Sequence, residues 1–158
     1  MSFDPREFRN ALGRYVTGVT VVTANPTGFA PLGMTANSFS ALSLDPALVV
    51  WSIQKNSDCF AAFEAADGFA INVLADDQTA LSNGYSKKGQ HELLTGCYRQ
   101  GKSGQPVLKN CLTSFECKMW ARYEGGDHVI LVGEVIEMDD RPTGKPLVFS
   151  GGKYRELR

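Results

Sequence analysis

The sequence has no Cys-x-x-Cys pair. Its four cysteines, Cys59, Cys97, Cys111 and Cys117, stand apart, and only two histidines, His91 and His128, could offer nitrogen ligands. A zinc site needs closely spaced ligands, so no metal is expected, and the thiols read as reduced, mostly structural groups. No apolar run approaches the length of a membrane span, and Met1-Ser2-Phe3-Asp4-Pro5-Arg6-Glu7 lacks the charged-then-apolar order of a secretory signal. The expected setting is the cytoplasm, with no membrane role. Charge is balanced, 16 basic residues facing 17 acidic ones for a net −1, and no basic block stands out beyond the Lys87-Lys88 pair. A nucleic-acid partner needs a basic face and is not expected. Gly-x-Gly-x-x-Gly after a strand is missing, which argues against a doubly wound dinucleotide fold. No catalytic triad or paired-carboxylate constellation stands out.

What is present is an ordinary globular composition, 43% apolar and 21% charged over 158 residues. Residues 1–158 are expected to form one domain with a substantial core. Asp4 suits an N-cap, Pro5 the first helical position and Glu7 a capping box, while Phe3 and Phe8 stand at staple positions. With Ala11, Leu12 and Tyr15 at helical spacing, an amphipathic helix packing over a sheet edge follows. Val19 to Ala24 is β-branched and reads as a strand; Asn25 to Gly28 turns the chain and Phe29 to Ala36 returns. Ala47 to Ile53 is a buried strand, Asp58 to Ala65 a helix capped by Ser57, Phe69 to Leu74 a strand, and Asp76 to Asn83 a short helix. Gly84 to His91 is polar and is expected to be the most mobile segment, with His91 solvated. Along Leu112 to Tyr123 the alternation puts Phe115, Cys117, Met119 and Tyr123 on a core face and Ser114, Glu116, Lys118 and Arg122 on a polar one. Trp120 breaks the polar face, which suggests a subunit contact. After Gly125-Gly126-Asp127, His128 to Ile136 pairs back as a hairpin. The pattern describes a mainly β chain with helices, an antiparallel sheet closing on itself.

Gly33 to Pro46 fits neither a plain helix nor a plain strand. Thr35, Asn37, Ser38, Ser40 and Ser43 bring small polar groups, and Met34, Phe39, Leu42 and Leu44 bring apolar anchors. Small residues leave room for a flat ligand and let backbone amides reach its polar edge. A polar loop with apolar staples has the same composition. Lys55-Asn56-Ser57 before a helix reads either as a phosphate seat or as a mere cap with a solvated lysine.

Four segments occur in an informative order: Phe8 to Thr23, Gly33 to Pro46, Phe69-Ala70-Ile71-Asn72-Val73-Leu74-Ala75, and Gly126-Asp127-His128-Val129-Ile130-Leu131-Val132-Gly133-Glu134-Val135. Together they closely resemble the short-chain flavin reductases, the reductase components of two-component flavin-dependent monooxygenases. The likeness spans Phe8 to Tyr154. It implies a split β-barrel, Greek-key-like in its antiparallel order, and a homodimer with flavin near the subunit interface. It also implies hydride transfer from NADH or NADPH to FMN or FAD, with reduced flavin diffusing to a partner monooxygenase.

By the same resemblance, Met34, Thr35, Ala36, Asn37 and Ser38 would line the flavin ring, and Ser52, Lys55 and Ser57 would meet its ribityl chain and phosphate. Asn72, Val73 and Leu74 would border the flavin, with Ser82, Tyr85 and Tyr154 nearby. His128 would stand at the nicotinamide side; a packed histidine at a hairpin start is the other reading. Hydride passes directly between two flat rings held face to face, so the protein needs no nucleophile. A tight flavin-binding electron carrier, or a reductase of a non-flavin acceptor, would satisfy the same residues.

Overall fold

The computed structural model describes residues 2–158. Asp4 caps α1 (Pro5–Leu12), its carboxylate accepting the amides of Arg6 and Glu7 at 2.9 and 3.0 Å. Phe3 and Phe8 close the staple with ring centroids 5.7 Å apart. The expected docking of this helix over a sheet edge is not observed. None of its residues is buried, and Phe8 and Leu12 remain 52% and 59% exposed.

The chain continues through β1 (Thr17–Gly18), β2 (Thr20–Ala24), β3 (Leu32–Ala36), β4 (Ser40–Leu44) and β5 (Ala47–Gln54). Next come α2 (Phe60–Ala65), β6 (Gly68–Val73), α3 (Thr79–Tyr85), β7 (Tyr98–Gln100) and β8 (Pro106–Leu108). Two long strands, β9 (Thr113–Gly125) and β10 (His128–Asp140), form a hairpin, and β11 (Val148–Ser150) and β12 (Lys153–Arg155) form a short one. Gly151 and Gly152 turn the latter with φ of 62° and 75°, the left-handed pair that a tight type I′ hairpin requires.

The Gly33 to Pro46 stretch resolves into the end of β3, a three-residue link and β4. The second strand lies in a run with no β-branched residue and is largely exposed on both faces, so no alternation marked it. Helix α2 begins at Phe60 rather than Asp58: Ser57 Oγ accepts the Cys59 amide at 3.1 Å and caps the preceding turn. Helix α3 begins at Thr79 and runs to Tyr85.

Seven strands form one antiparallel sheet in the order β3-β2-β6-β9-β10-β5-β4. Its outermost members, β3 and β4, are consecutive in the chain and joined only by residues 37–39. A flat sheet would set them about 29 Å apart, six gaps of about 4.8 Å. Four Cα steps reach only about 15 Å. The sheet therefore curls until its edges approach, although the two edge strands do not pair with each other.

Inside the curl lie Val22, Val49, Trp51, Ile53, Phe69, Ile71 and Leu131, with Ala62 and Phe63 of α2 plugging one side. Trp51 meets Phe63 and Phe69 edge-on, at 4.9 and 5.9 Å. A second cluster on the outer face joins Val19, Val21, Leu74, Tyr85, Leu93 and Leu147. Because both faces of β2 are covered, all five of its residues are buried.

The clean alternation expected along β9 fails at both ends: Tyr123, expected on the core face, is 56% exposed. Ser114 and Glu116 are buried alongside Cys117, because the 101–105 turn folds over that face. Glu116 Oε1 accepts the Ser103 amide at 3.0 Å and its hydroxyl at 2.5 Å. Farther along, Trp120 is 52% exposed, as the pattern required.

Candidate functional site

The end of β3 opens onto a long groove. Its central part, about 360 Å³, is lined by Val19, Thr35, Ala36, Asn37, Ser82, Asn83, Ser86, Phe149, Gly152 and Tyr154. It shares Thr35 and Ser86 with a cavity of about 350 Å³ bounded by Met34, Gln54, Asn56, Ser57, Asp58, Tyr85, Lys88 and His91. On the other side it shares Val19 and Asn37 with a cavity of about 590 Å³ that reaches Ser38, Phe39, Val73, Tyr15 and Val16. Three contiguous hollows thus follow Met34 through Phe39.

Hydrogen bonds tie the groove's walls together. Thr35 Oγ1 donates to the Ser82 carbonyl at 2.7 Å, joining β3 to α3. Tyr154 on β12 reaches Ser82 Oγ at 2.7 Å and donates to Asn83 Oδ1 at 2.9 Å. Thr20 Oγ1 donates to the Ala36 carbonyl at 2.7 Å, fixing the strand end. Ser38 Oγ accepts the Ser52 amide at 3.0 Å and so ties the link between β3 and β4 to β5. The lining alternates apolar surfaces (Val19, Ala36, Phe149) with polar rims (Asn37, Asn83, Ser86). A flat ring with polar edges fits that donor set.

Of the residues singled out in the sequence, Met34, Thr35, Ala36, Asn37, Ser38, Ser57, Val73, Ser82, Tyr85 and Tyr154 are brought to this groove. Ser52 lies behind it as the partner of Ser38. Lys55 lines none of these hollows; its ammonium pairs with Glu124 at 2.5 Å on the surface. The side chains of Asn72 and Leu74 are fully buried and offer a ligand no surface. Asn72 is instead a polar hub of the core. Its amide donates to the Val21 carbonyl and Thr23 Oγ1, and its oxygen accepts from the Leu108 amide and Ser114 Oγ. A one-residue step along a strand reverses the face, so a segment can border the site while its asparagine points away.

His128 opens β10 opposite Gln54. Its Nδ1 donates to Asp127 Oδ1 at 2.6 Å, and that hydrogen bond holds the Asp127 carboxyl below the usual carboxylate range. Nε2 has no partner among the described residues. The 40% exposed ring stands beside the Gln54 end of the groove.

The expected solvated His91 proves to be fixed. Its side chain is 13% exposed, with Nε2 2.9 Å from Asp58 Oδ1 and Nδ1 3.0 Å from the Gly33 carbonyl. Asp58 Oδ2 accepts the Gly89 amide at 2.6 Å, the main cause of a carboxyl held below its ordinary value. Asp58, Asn83, Ser86 and Phe149 also line the groove without having been singled out. Their sequence neighbours Ser57, Ser82 and Tyr85 had been, but polar loops carry no periodicity to mark them. Burial pushes the thiols of Cys59, Cys111 and Cys117 up to about 12, 11 and 12; like Cys97, they are free. Raised in this way, the thiols of Cys59, Cys111 and Cys117 stay protonated at neutral pH.

The model of the flavin reductase like domain matches residues 12–158, and the chain belongs to that family. Over 150 residues it is 47% identical to an NADH-dependent FMN reductase, SmoA, from Agrobacterium fabrum, spanning 94% of this chain and 84% of that protein. A reductase subunit of a flavin-dependent monooxygenase, HsaB of Rhodococcus jostii, is 33% identical over 97% of this chain and 78% of its own. The NADH:FAD oxidoreductase SgcE6 of Streptomyces globisporus, solved with NAD and FAD fragments, superposes with a TM-score of 0.91 at 34% identity. That match covers 100% of this chain and 97% of SgcE6.

Proposed function

We propose that this chain is an NAD(P)H-dependent flavin reductase acting as a single domain over residues 1–158. The observation that carries the reading is the continuous groove along Met34 to Phe39, faced with small and apolar groups and rimmed by hydrogen-bonding ones. When bound there, flavin FMN or FAD supplies the hydride acceptor and NADH or NADPH the donor. The protein's task is to fix both rings at reacting distance and keep water away. Thr35, Ala36, Asn37 and Ser38 would meet the ring edge, while Ser57, Asn56 and Lys88 would meet the anionic end. The curled sheet, open between β3 and β4, is consistent with the split β-barrel, and the free thiols suit a reducing cytoplasm.

A homodimer accounts for the unburied face of α1 and for exposed Trp120, Tyr123 and Met138. In that reading Tyr15 and Val16, 80% and 55% exposed at the rim of the groove, lie near the subunit contact. Reduced flavin would leave and reach a partner monooxygenase by diffusion.

The deciding experiment measures oxidation of NADH and NADPH with FMN, FAD or no added flavin. Turnover that depends on added flavin is the expected result and fixes both preferences. Flavin binding without turnover would instead indicate an electron carrier. His128→Ala should lower turnover at least about tenfold while flavin affinity changes less than about threefold. Equal turnover in the variant removes His128 from the nicotinamide side.

A further inference from the structure

Three elements meet at His91. Its imidazole contacts the Gly33 carbonyl of β3, two residues before Thr35, and the Asp58 carboxylate just before α2. The Gly33 amide donates back to the His91 carbonyl at 2.8 Å, and Gly89 donates to Asp58. The 86–91 loop, expected to be mobile, is therefore pinned at both ends of its last turn. Lys88, one residue before the pinned Gly89, is part of the groove wall with Asn56 and Ser57.

Both imidazole nitrogens face oxygen acceptors, one a carbonyl and one a carboxylate. Each contact is satisfied only when its nitrogen carries a proton. The arrangement is thus complete for the imidazolium and loses one hydrogen bond when the ring becomes neutral. The other ionisable groups around it do not change this balance. The Cys59 thiol, within 4.8 Å of the pair, stays neutral because burial pushes it up to about 12. Tyr85 is likewise pushed up to about 12 by burial. Lys88 adds positive charge, and neighbouring Glu92 adds a negative one along the chain.

We propose that His91 and Asp58 form a charged latch that positions the 86–91 loop, with Lys88, over the anionic end of a bound flavin nucleotide. His91 acts through the loop and is a positioning residue. The proposal rests on the flavin-reductase reading. The latch has two limits in pH. Asp58, its carboxyl lowered chiefly by the Gly89 hydrogen bond, contributes stability that is lost as pH falls through that lowered value. The other limit follows from the two oxygen acceptors: a ring carrying a single N–H satisfies only one of them and holds the latch less firmly.

The test follows flavin-dependent NADH or NADPH oxidation, and amide hydrogen exchange of residues 86–91, from about pH 5 to about pH 9. In the natural chain the flavin KM should rise several-fold toward the alkaline end as the loop exchanges faster. His91→Ala should hold a flavin KM about tenfold above the natural value near neutrality, flat with pH, with kcat falling no more than about twofold. Asp58→Asn offers neutral imidazole a matched amide donor at Nε2, so its KM should be raised about threefold and lose its alkaline rise. A KM and pH profile of His91→Ala indistinguishable from the natural chain, or unaltered loop exchange, overturns the latch. Should His91→Ala not fold, Asp58→Asn decides: a profile sloping as in the natural chain overturns the proposal, as does loss of fold in both variants. Failure of the flavin reading has a different signature, absence of turnover in the natural chain, and hydrogen exchange then decides alone whether the latch exists.

Discussion

Replacing Asn72 with alanine should lower the unfolding free energy by about 3 kcal/mol or more. The side chain is fully buried and makes four hydrogen bonds, to Val21, Thr23, Leu108 and Ser114, at 2.9 to 3.0 Å. These link β2, β6, β8 and β9. Alanine leaves the Leu108 amide and the Ser114 hydroxyl without the partner they now have, in a place too enclosed for easy hydration. Stranding each buried polar group costs about 1–3 kcal/mol, whereas the net gain from a satisfied one is near 1 kcal/mol. Urea unfolding followed by circular dichroism checks this, with a lowered midpoint and an unchanged slope as the expected result. An unchanged midpoint together with weakened flavin binding would return Asn72 to the cofactor site.

Trp51→Ala should be at least as severe, about 3–5 kcal/mol, because it empties the centre of the curled sheet. Trp51 is fully buried between Phe63 and Phe69, so both the transferred area and two edge-on aromatic contacts are lost. Its indole nitrogen has no hydrogen-bond partner among the described residues. Trp51→Phe therefore removes an unsatisfied donor as well as volume, and should cost no more than about 2 kcal/mol. For a chain of this size each kcal/mol moves the melting temperature by about 2–4 °C. The alanine variant should accordingly melt about 10 °C below the natural chain, and the phenylalanine variant within about 6 °C. Equal losses for the two would mean that the indole hydrogen is satisfied in the protein and that losing its partner, rather than losing ring volume, sets the cost.

The pH dependence of the groove is tied to the same contrast between buried and half-buried groups. Three cysteine thiols pushed up to 11 or 12 stay protonated through the physiological range. The carboxylates beside the groove differ: Asp58 and Asp127 are held below the ordinary carboxylate range, the first chiefly by the Gly89 amide and the second by the His128 hydrogen bond.

Reading the sequence located the groove because its central wall is contiguous in the chain: Met34, Thr35, Ala36, Asn37 and Ser38 follow one another on and just beyond a strand end. Tyr154, Ser82 and Tyr85 were reachable through resemblance. Two kinds of error remained. Asn72 and Leu74 belong to a segment that borders the site, but facing is set by strand register, and a step of one residue turns a side chain from ligand to core. His91 and Asp58 are 33 positions apart and lie in polar stretches without periodicity, so nothing local announces that they meet.

By itself the sequence determined what local chemistry determines. Asp4 and Pro5 start a helix, β-branched runs make β2 and β5, Gly151-Gly152 makes a tight turn, and unpaired cysteines leave the fold to its apolar core. Tertiary structure decided what depends on residues distant in the chain. It curled the sheet so that β3 and β4, three residues apart, became its two edges; it buried Glu116 beneath a turn; and it left every residue of α1 unburied. The physical reason is that capping, turn geometry and β-propensity act over a few residues, whereas burial and charge pairing depend on which surfaces the fold brings into contact.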